Sequence, residues 1–213
     1  MQSENEPSGQ KRRSVIEEVR RAQIIESAIE TFAEVGYGET SLARIAERAG
    51  ISKGVISYHF AGKDELVEQV IHQVYAEITE SVAPRVAEQS TATAKLRTRL
   101  RAVAEYVQDH RAQLLALVEI FNNVLGPDGE PRYGYVFNEP LYQSQEKIFL
   151  DGQATGELRA FDTRVMAVSL EAAIDAMVGY WATFPEHDVE AHAEELADLF
   201  EHATRAYPGG SDR

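Results

Sequence analysis

The chain has 213 residues, 44% of them apolar, which supplies a real core and excludes disorder throughout. It contains no cysteine, so disulfides, thiolate metal sites and a cysteine nucleophile are ruled out, in keeping with a reducing compartment. The net charge of −14 runs against attraction to a polyanion, which rests on Lys and Arg displacing counterions.

The acid is unevenly placed. Met1 to Tyr75 carries nine Lys/Arg against twelve Asp/Glu, a net of −3, which leaves −11 for the remainder. A positive surface in the first third therefore has to be local, built from Lys11, Arg12, Arg13, Arg44, Lys53 and Lys63. Residues 1–10 are polar, with Glu4, Glu6 and no apolar run, so they do not read as a secretory signal. No segment is expected to run long enough without charge to span a bilayer, and the expectation is a cytoplasmic protein with no membrane partner.

In chain order, residues 1–13 show no apolar period and read as a flexible arm. From Ser14 to Val35, Ile25, Ala28, Ile29 and Phe32 share one helical face, and Gly36 ends that helix. Leu42, Ile45, Ala46 and Ala49 repeat the spacing after Thr40 or Ser41 as N-cap, giving a short second helix closed by Gly50. A third short helix follows Ser52 and ends near Phe60. A fourth starts near Gly62, where Asp64 and Glu65 suit a helix N-terminus, and continues toward Pro84. Further helices are predicted at about 92–111, 112–125, 139–153, 163–184 and 188–206, interrupted by Gly-Pro-Asp-Gly at 126–129 and by Pro185. The fold class is all-α: a helix-turn-helix unit at 14–62, a larger helical unit at 63–208 and a tail at 209–213.

Thr40 to Phe60 reads as a helix-turn-helix. Ala46 is small where two helices cross, Gly50 permits positive φ in the turn, and Ile45, Ala49, Ile51 and Ile56 form the apolar underside. That leaves Ser52, Lys53, Gly54, Val55, Ser57, Tyr58 and His59 outward, a face that suits a major groove about 12 Å wide. Gly54 allows close approach, Val55 suits a thymine methyl, and Ser57 suits base edges. Thr40 or Ser41, Arg44 and Lys63 are placed to hold the phosphate backbone. A small helical bundle has the same spacing, so spacing alone is not specific.

The stretch AERAGISKGVISYHFAGKDEL closely resembles the signature of the TetR (tetracycline-repressor) family: an Ala-Gly-Val-Ser turn, a recognition helix ending Tyr-x-His-Phe, then Lys-x-x-Leu. The upstream IIESAIETFAEVGYGETSLARIA is similar to that family's first two helices, so the resemblance covers about Arg20 to Leu66. Ser57 stands where many members carry Tyr, and contacts ascribed to that tyrosine do not carry over. The resemblance implies three N-terminal helices for DNA, a larger helical domain for a small-molecule effector and dimerisation, and repression as the sign of regulation. The alternative is a DNA-binding interaction protein of the same fold that answers to a protein partner.

The helix near 163–184 is apolar around most of its circumference, from Val165 to Trp181, and the last helix has one apolar side with Val189, Ala193, Leu196, Ala197 and Phe200. Two such helices per chain suit a four-helix homodimer interface; a monomer core has the same periodicity. A two-fold dimer would read a palindromic operator with half-sites one or more turns apart, ~34 to 36 Å per turn. GQATGELRAFDTRVMAVSLEAAIDAMVGYW also loosely resembles a stretch common in the family.

An effector site is expected where polarity interrupts apolar runs. Glu119, Asn122 and Asn123 share one face of an otherwise apolar helix, which fits a ligand site, a solvent face or bonding between helices equally. Asp175 is alone among apolar neighbours, and Tyr106, Phe121, Tyr142, Phe149 and Trp181, with Tyr180, come from several helices as lining or as ordinary core. A cavity holding Glu119 and Asp175 would suit a cationic or multi-hydroxylated aromatic ligand. No P-loop, Gly-x-Ser-x-Gly or His-Glu-x-x-His occurs, so no enzyme activity, cofactor or metal is expected; the i, i+3 spacing of His192 and Glu195 is one that occurs by chance, in an acidic helix that reads as solvated.

Overall fold

Helix α1 (Pro7–Glu39) opens a computed structural model that describes residues 7–206, with side chains from residue 15 onward. It takes in positions 7–13, which were expected as an arm. Pro7 suits a first turn, and Gln10 to Arg13 are good helix formers, so propensity extends the helix without an apolar period. The rest of the expected arm, the expected tail at 209–213 and the side chains of Lys11, Arg12 and Arg13 lie outside the described residues. Gly36 interrupts α1 at φ 77°, in the left-handed region that favours glycine.

Helix α2 (Leu42–Arg48) is capped by Ser41, whose Oγ accepts from the Arg44 N–H at 3.3 Å. Gly50, at φ 66°, turns the chain into α3 (Lys53–His59), and the Ile51 N–H donates back to the Ala46 carbonyl at 2.9 Å. Ile24, Ile25, Ala28, Ile29 and Phe32 of α1 are buried with Ile45, Ala46, Ile56 and Phe60. Ile51 is half-buried, so the expected underside holds at each of its positions.

Helix α4 (Lys63–Ala87) passes through Pro84 instead of stopping there. A proline one turn from a helix end removes a single backbone bond, and the next residues stay in register. Then come α5 (Ala92–Asp109), α6 (Arg111–Asn123), α7 (Glu139–Ala154), α8 (Thr163–Thr183) and α9 (Val189–Thr204), each within a few residues of its predicted bounds. Helix α6 lies along α1, α4 along α5, α5 along α9 and α7 along α8. Among the described residues there is no strand, and the bridges Leu125 to Pro131 and Leu158 to Arg205 are isolated pairs.

By length and composition α8 is apolar enough to cross a bilayer, although it is not free of charge. Its carboxylates Glu171 and Asp175 sit near the middle, and its buried residues pack on α7 and α9, as in the core helix of a folded body.

Candidate functional site

Burying Ile56 and Phe60 turns the other residues of α3 outward. Ser52, Lys53, Gly54 and Ser57 are exposed, Val55 and His59 are half-buried, and Tyr58 is 75% exposed with its ring edge-on to His59 at 5.0 Å. Arg44 on α2 is exposed and only loosely paired, 3.9 Å from Glu39. Ser41, Arg44, Lys53, Ser57 and Tyr58 are therefore all solvent-facing along the turn and its helices.

Two expected phosphate contacts fall elsewhere. Thr40 is 4% exposed and donates from Oγ1 to the Gly36 carbonyl at 2.7 Å, so it closes the turn from inside. Lys63 donates from Nζ to the Tyr37 carbonyl at 2.6 Å and lies 3.7 Å from the centre of the Tyr37 ring. Burial pushes its ammonium pKa down, against the opposite pull of Asp64. In this arrangement Lys63 holds protein. Arg21, not singled out from sequence, fastens the end of α3: it donates to the His59 carbonyl, stacks 4.3 Å above Phe60 and pairs with Glu65 at 3.7 Å. Its only sequence signal was a basic residue just ahead of the apolar face of the first helix.

The residues expected to line an effector site do not converge. Glu119 points to the first helix, where its Oε2 accepts the Tyr37 N–H at 3.0 Å. Asn123 folds back onto Glu119, and Asn122 is exposed, which removes all three from a cavity. Phe149 is fully buried against Phe161, and Trp181 is buried under the Arg111 guanidinium at 4.8 Å, both as ordinary core. Tyr106 donates to Glu77 at 3.1 Å and stacks on His110 at 4.0 Å. Tyr180 is half-exposed.

Tyr142 and Asp175 do lie in one neighbourhood, together with Tyr75, Asn138 and Glu171, which the sequence did not mark. The Tyr75 hydroxyl donates to Asn138 Oδ1 at 3.3 Å, and the Tyr142 hydroxyl meets the same Asn138 side chain. Glu171 is paired with Arg99 of α5 at 2.7 Å. Asp175 is an exposed residue of α8, yet protein crowding around its carboxyl, with the Glu171 charge behind it, pushes its pKa up to about 6 against the pull of Arg99. Nearby, the rings of Tyr75, Phe121, Tyr133 and Phe137 meet at 5.4 to 6.1 Å. A recess of about 220 Å³ opens beside them, lined by Glu68, Ile71, His72, Tyr133 and Phe137.

Among the described residues no group of three or more His, Asp or Glu is placed to hold a metal ion. His192 faces His187 across 2.9 Å.

Residues 24–70 match the model of bacterial regulatory proteins, tetR family. The chain is 43% identical over 70 residues to the HTH-type transcriptional regulator BetI 1 of Chromohalobacter salexigens, a match covering 33% of this chain and 35% of that protein. With BetI of Cronobacter sakazakii it shares 28% identity over 163 residues, 75% of this chain and 77% of the relative. The matched part thus spans about a third of the length of the first curated relatives. A structure described as the molecular basis for control of antibiotic production by bacterial hormones superposes with a TM-score of 0.74 at 28% identity. It covers 88% of this chain and 98% of the other.

Proposed function

The chain belongs to the tetR family of bacterial regulatory proteins, and from that premise we propose that it is a sequence-specific DNA-binding transcriptional regulator. The observation that carries the reading is the outward face of α3, where Lys53, Gly54, Ser57 and Tyr58 stand free above the buried Ile56 and Phe60. A helix so placed presents a cation, two hydroxyls and a bare backbone to a major groove, and Ser41 and Arg44 beside it suit phosphates.

The regulator acts as a homodimer. Supporting this, Val165, Tyr180 and Phe184 along α8 and its C-cap, and Leu199 on α9, are exposed large apolar side chains on the two helices expected to pair. Its sign is repression, relieved by a small molecule in the helical unit from α4 onward. The Tyr75, Asn138, Tyr142 and Asp175 neighbourhood offers that molecule two phenol hydroxyls, an amide and a carboxylate whose neighbouring cation Arg99 is engaged by Glu171. This set favours a ligand rich in hydrogen-bond donors or carrying positive charge. The likeness to a structure concerned with bacterial hormones supports a small-molecule signal.

A protein partner is the second reading, favoured by Tyr135 and Val136, which are 78% and 92% exposed between α6 and α7. Selecting bound duplexes from a random DNA pool tests the main proposal: a palindromic preference is expected, and recovery of no sequence preference overturns it.

A further inference from the structure

The turn between α1 and α2 is gripped from two sides through a single residue. The Tyr37 N–H donates to Glu119 Oε2 of α6 at 3.0 Å, and the Tyr37 carbonyl accepts from Lys63 at the start of α4 at 2.6 Å. The same Glu119 oxygen lies 3.0 Å from where a β-carbon on Gly36 would stand, so the missing side chain lets the carboxylate reach the backbone. Asn123, one turn along α6, donates from Nδ2 to the Glu119 carbonyl at 2.9 Å and to its carboxylate at 3.3 Å, which holds the Glu119 side chain in its rotamer. Thr40 closes the turn onto the Gly36 carbonyl, and Ser41 caps α2 immediately afterwards. The chain from Gly36 into α2 is thus a short segment held at Gly36, Tyr37, Thr40 and Ser41, whose outer anchor is a carboxylate on α6.

We propose that Glu119 is a positioning residue for DNA reading: through Tyr37 it fixes the orientation of α2 and α3 relative to α6, so a shift of α6 reaches the recognition helix directly as well as through α4. The inference rests on the DNA-binding reading above. It assigns Glu119 and Asn123 to coupling between the two units, away from ligand contact. It also explains why Glu119 stands on an otherwise apolar helix, because its carboxylate meets a backbone donor.

The two ends of the bond are half-buried, so water can satisfy Tyr37 when the carboxylate is removed and the fold survives. Glu119→Ala is expected to leave the thermal midpoint within about 2 °C, raise hydrogen exchange at the Tyr37 amide and lower affinity for the selected operator by ~10-fold. Its affinity for unrelated duplex is expected to stay unchanged. Glu119→Gln keeps an acceptor oxygen and is expected to bind the operator within about threefold of wild type. Should Glu119→Ala fail to fold, Asn123→Ala, which only loosens the carboxylate, carries the same test with a smaller operator-specific loss. Equal operator affinity in wild type and both Ala variants overturns the proposal while leaving DNA binding intact. A wild type that discriminates no duplex overturns both.

Discussion

Arg99 on α5 and Glu171 on α8 form an ion pair at 2.7 Å with side chains only 16% and 6% exposed. Two charges withdrawn from water in this way are each tolerable only because of the other, and among the described residues Arg99 Nε has no further partner. Glu171→Ala is therefore expected to destabilise the fold by ~3–5 kcal/mol, measured as a shift of the urea midpoint at constant m. Replacing both residues by apolar ones of similar volume is expected to cost much less.

One turn along, Asp175 titrates near 6, above its ordinary 3.8. The native state therefore keeps a proton that the unfolded chain has released, and stability falls as pH rises from about 4 through about 6. Asp175→Asn removes this dependence. The advantage of the Asn variant over wild type is expected to be absent near pH 4, to grow to pH 6 and to level off above 7. A gap between the two that does not vary with pH in denaturant titrations contradicts the assignment.

A methyl group on Gly54 would meet only Ser52 Oγ, at an ordinary 3.7 Å. Gly54→Ala is thus expected to fold at least as well as wild type, with a gain of up to ~1 kcal/mol from helix propensity. Its affinity for the selected operator is expected to fall tenfold or more if the α3 backbone approaches the bases closely. Thermal melting and fluorescence anisotropy separate the two effects.

Gly152 is the opposite case. A β-carbon there would stand 2.6 Å from Leu158 Cδ1 and 2.7 Å from Ala92 Cβ, where the end of α7 meets the start of α5. Gly152→Ala is expected to cost ~1–3 kcal/mol by overpacking, without a direct effect on DNA affinity per folded molecule.

The contrast between these sites shows what periodicity reveals. Ile25, Ala28, Ile29 and Phe32 are local signals, and their burial followed from spacing along one helix. The outward set of α3 was legible for the same reason: burying Ile56 determines what faces away. Glu119 was not, because its partner lies 82 residues upstream and a polar residue among apolar ones looks the same whether it meets ligand, water or a distant backbone. Thr40 and Ser41 are adjacent hydroxyls, and only the turn at Gly36 decides that the first points in and the second caps the helix. Lys63 was expected on phosphate, but Tyr37 offers its Nζ a carbonyl and an aromatic face at closer range. The Tyr75 and Asn138 contact joins residues 63 apart, one of them outside any helix, so no repeat in the sequence marks it.

The central claim is that the outward side chains of α3 read base sequence. Selecting duplexes from a random pool with wild type and with Ser57→Ala in parallel tests it most directly, since Ser57 is exposed and has no role in the core. The account predicts a palindromic preference for wild type, relaxed in the variant at one symmetry-related pair of positions while the others persist. An identical preference for both proteins, or no preference in either, would contradict it.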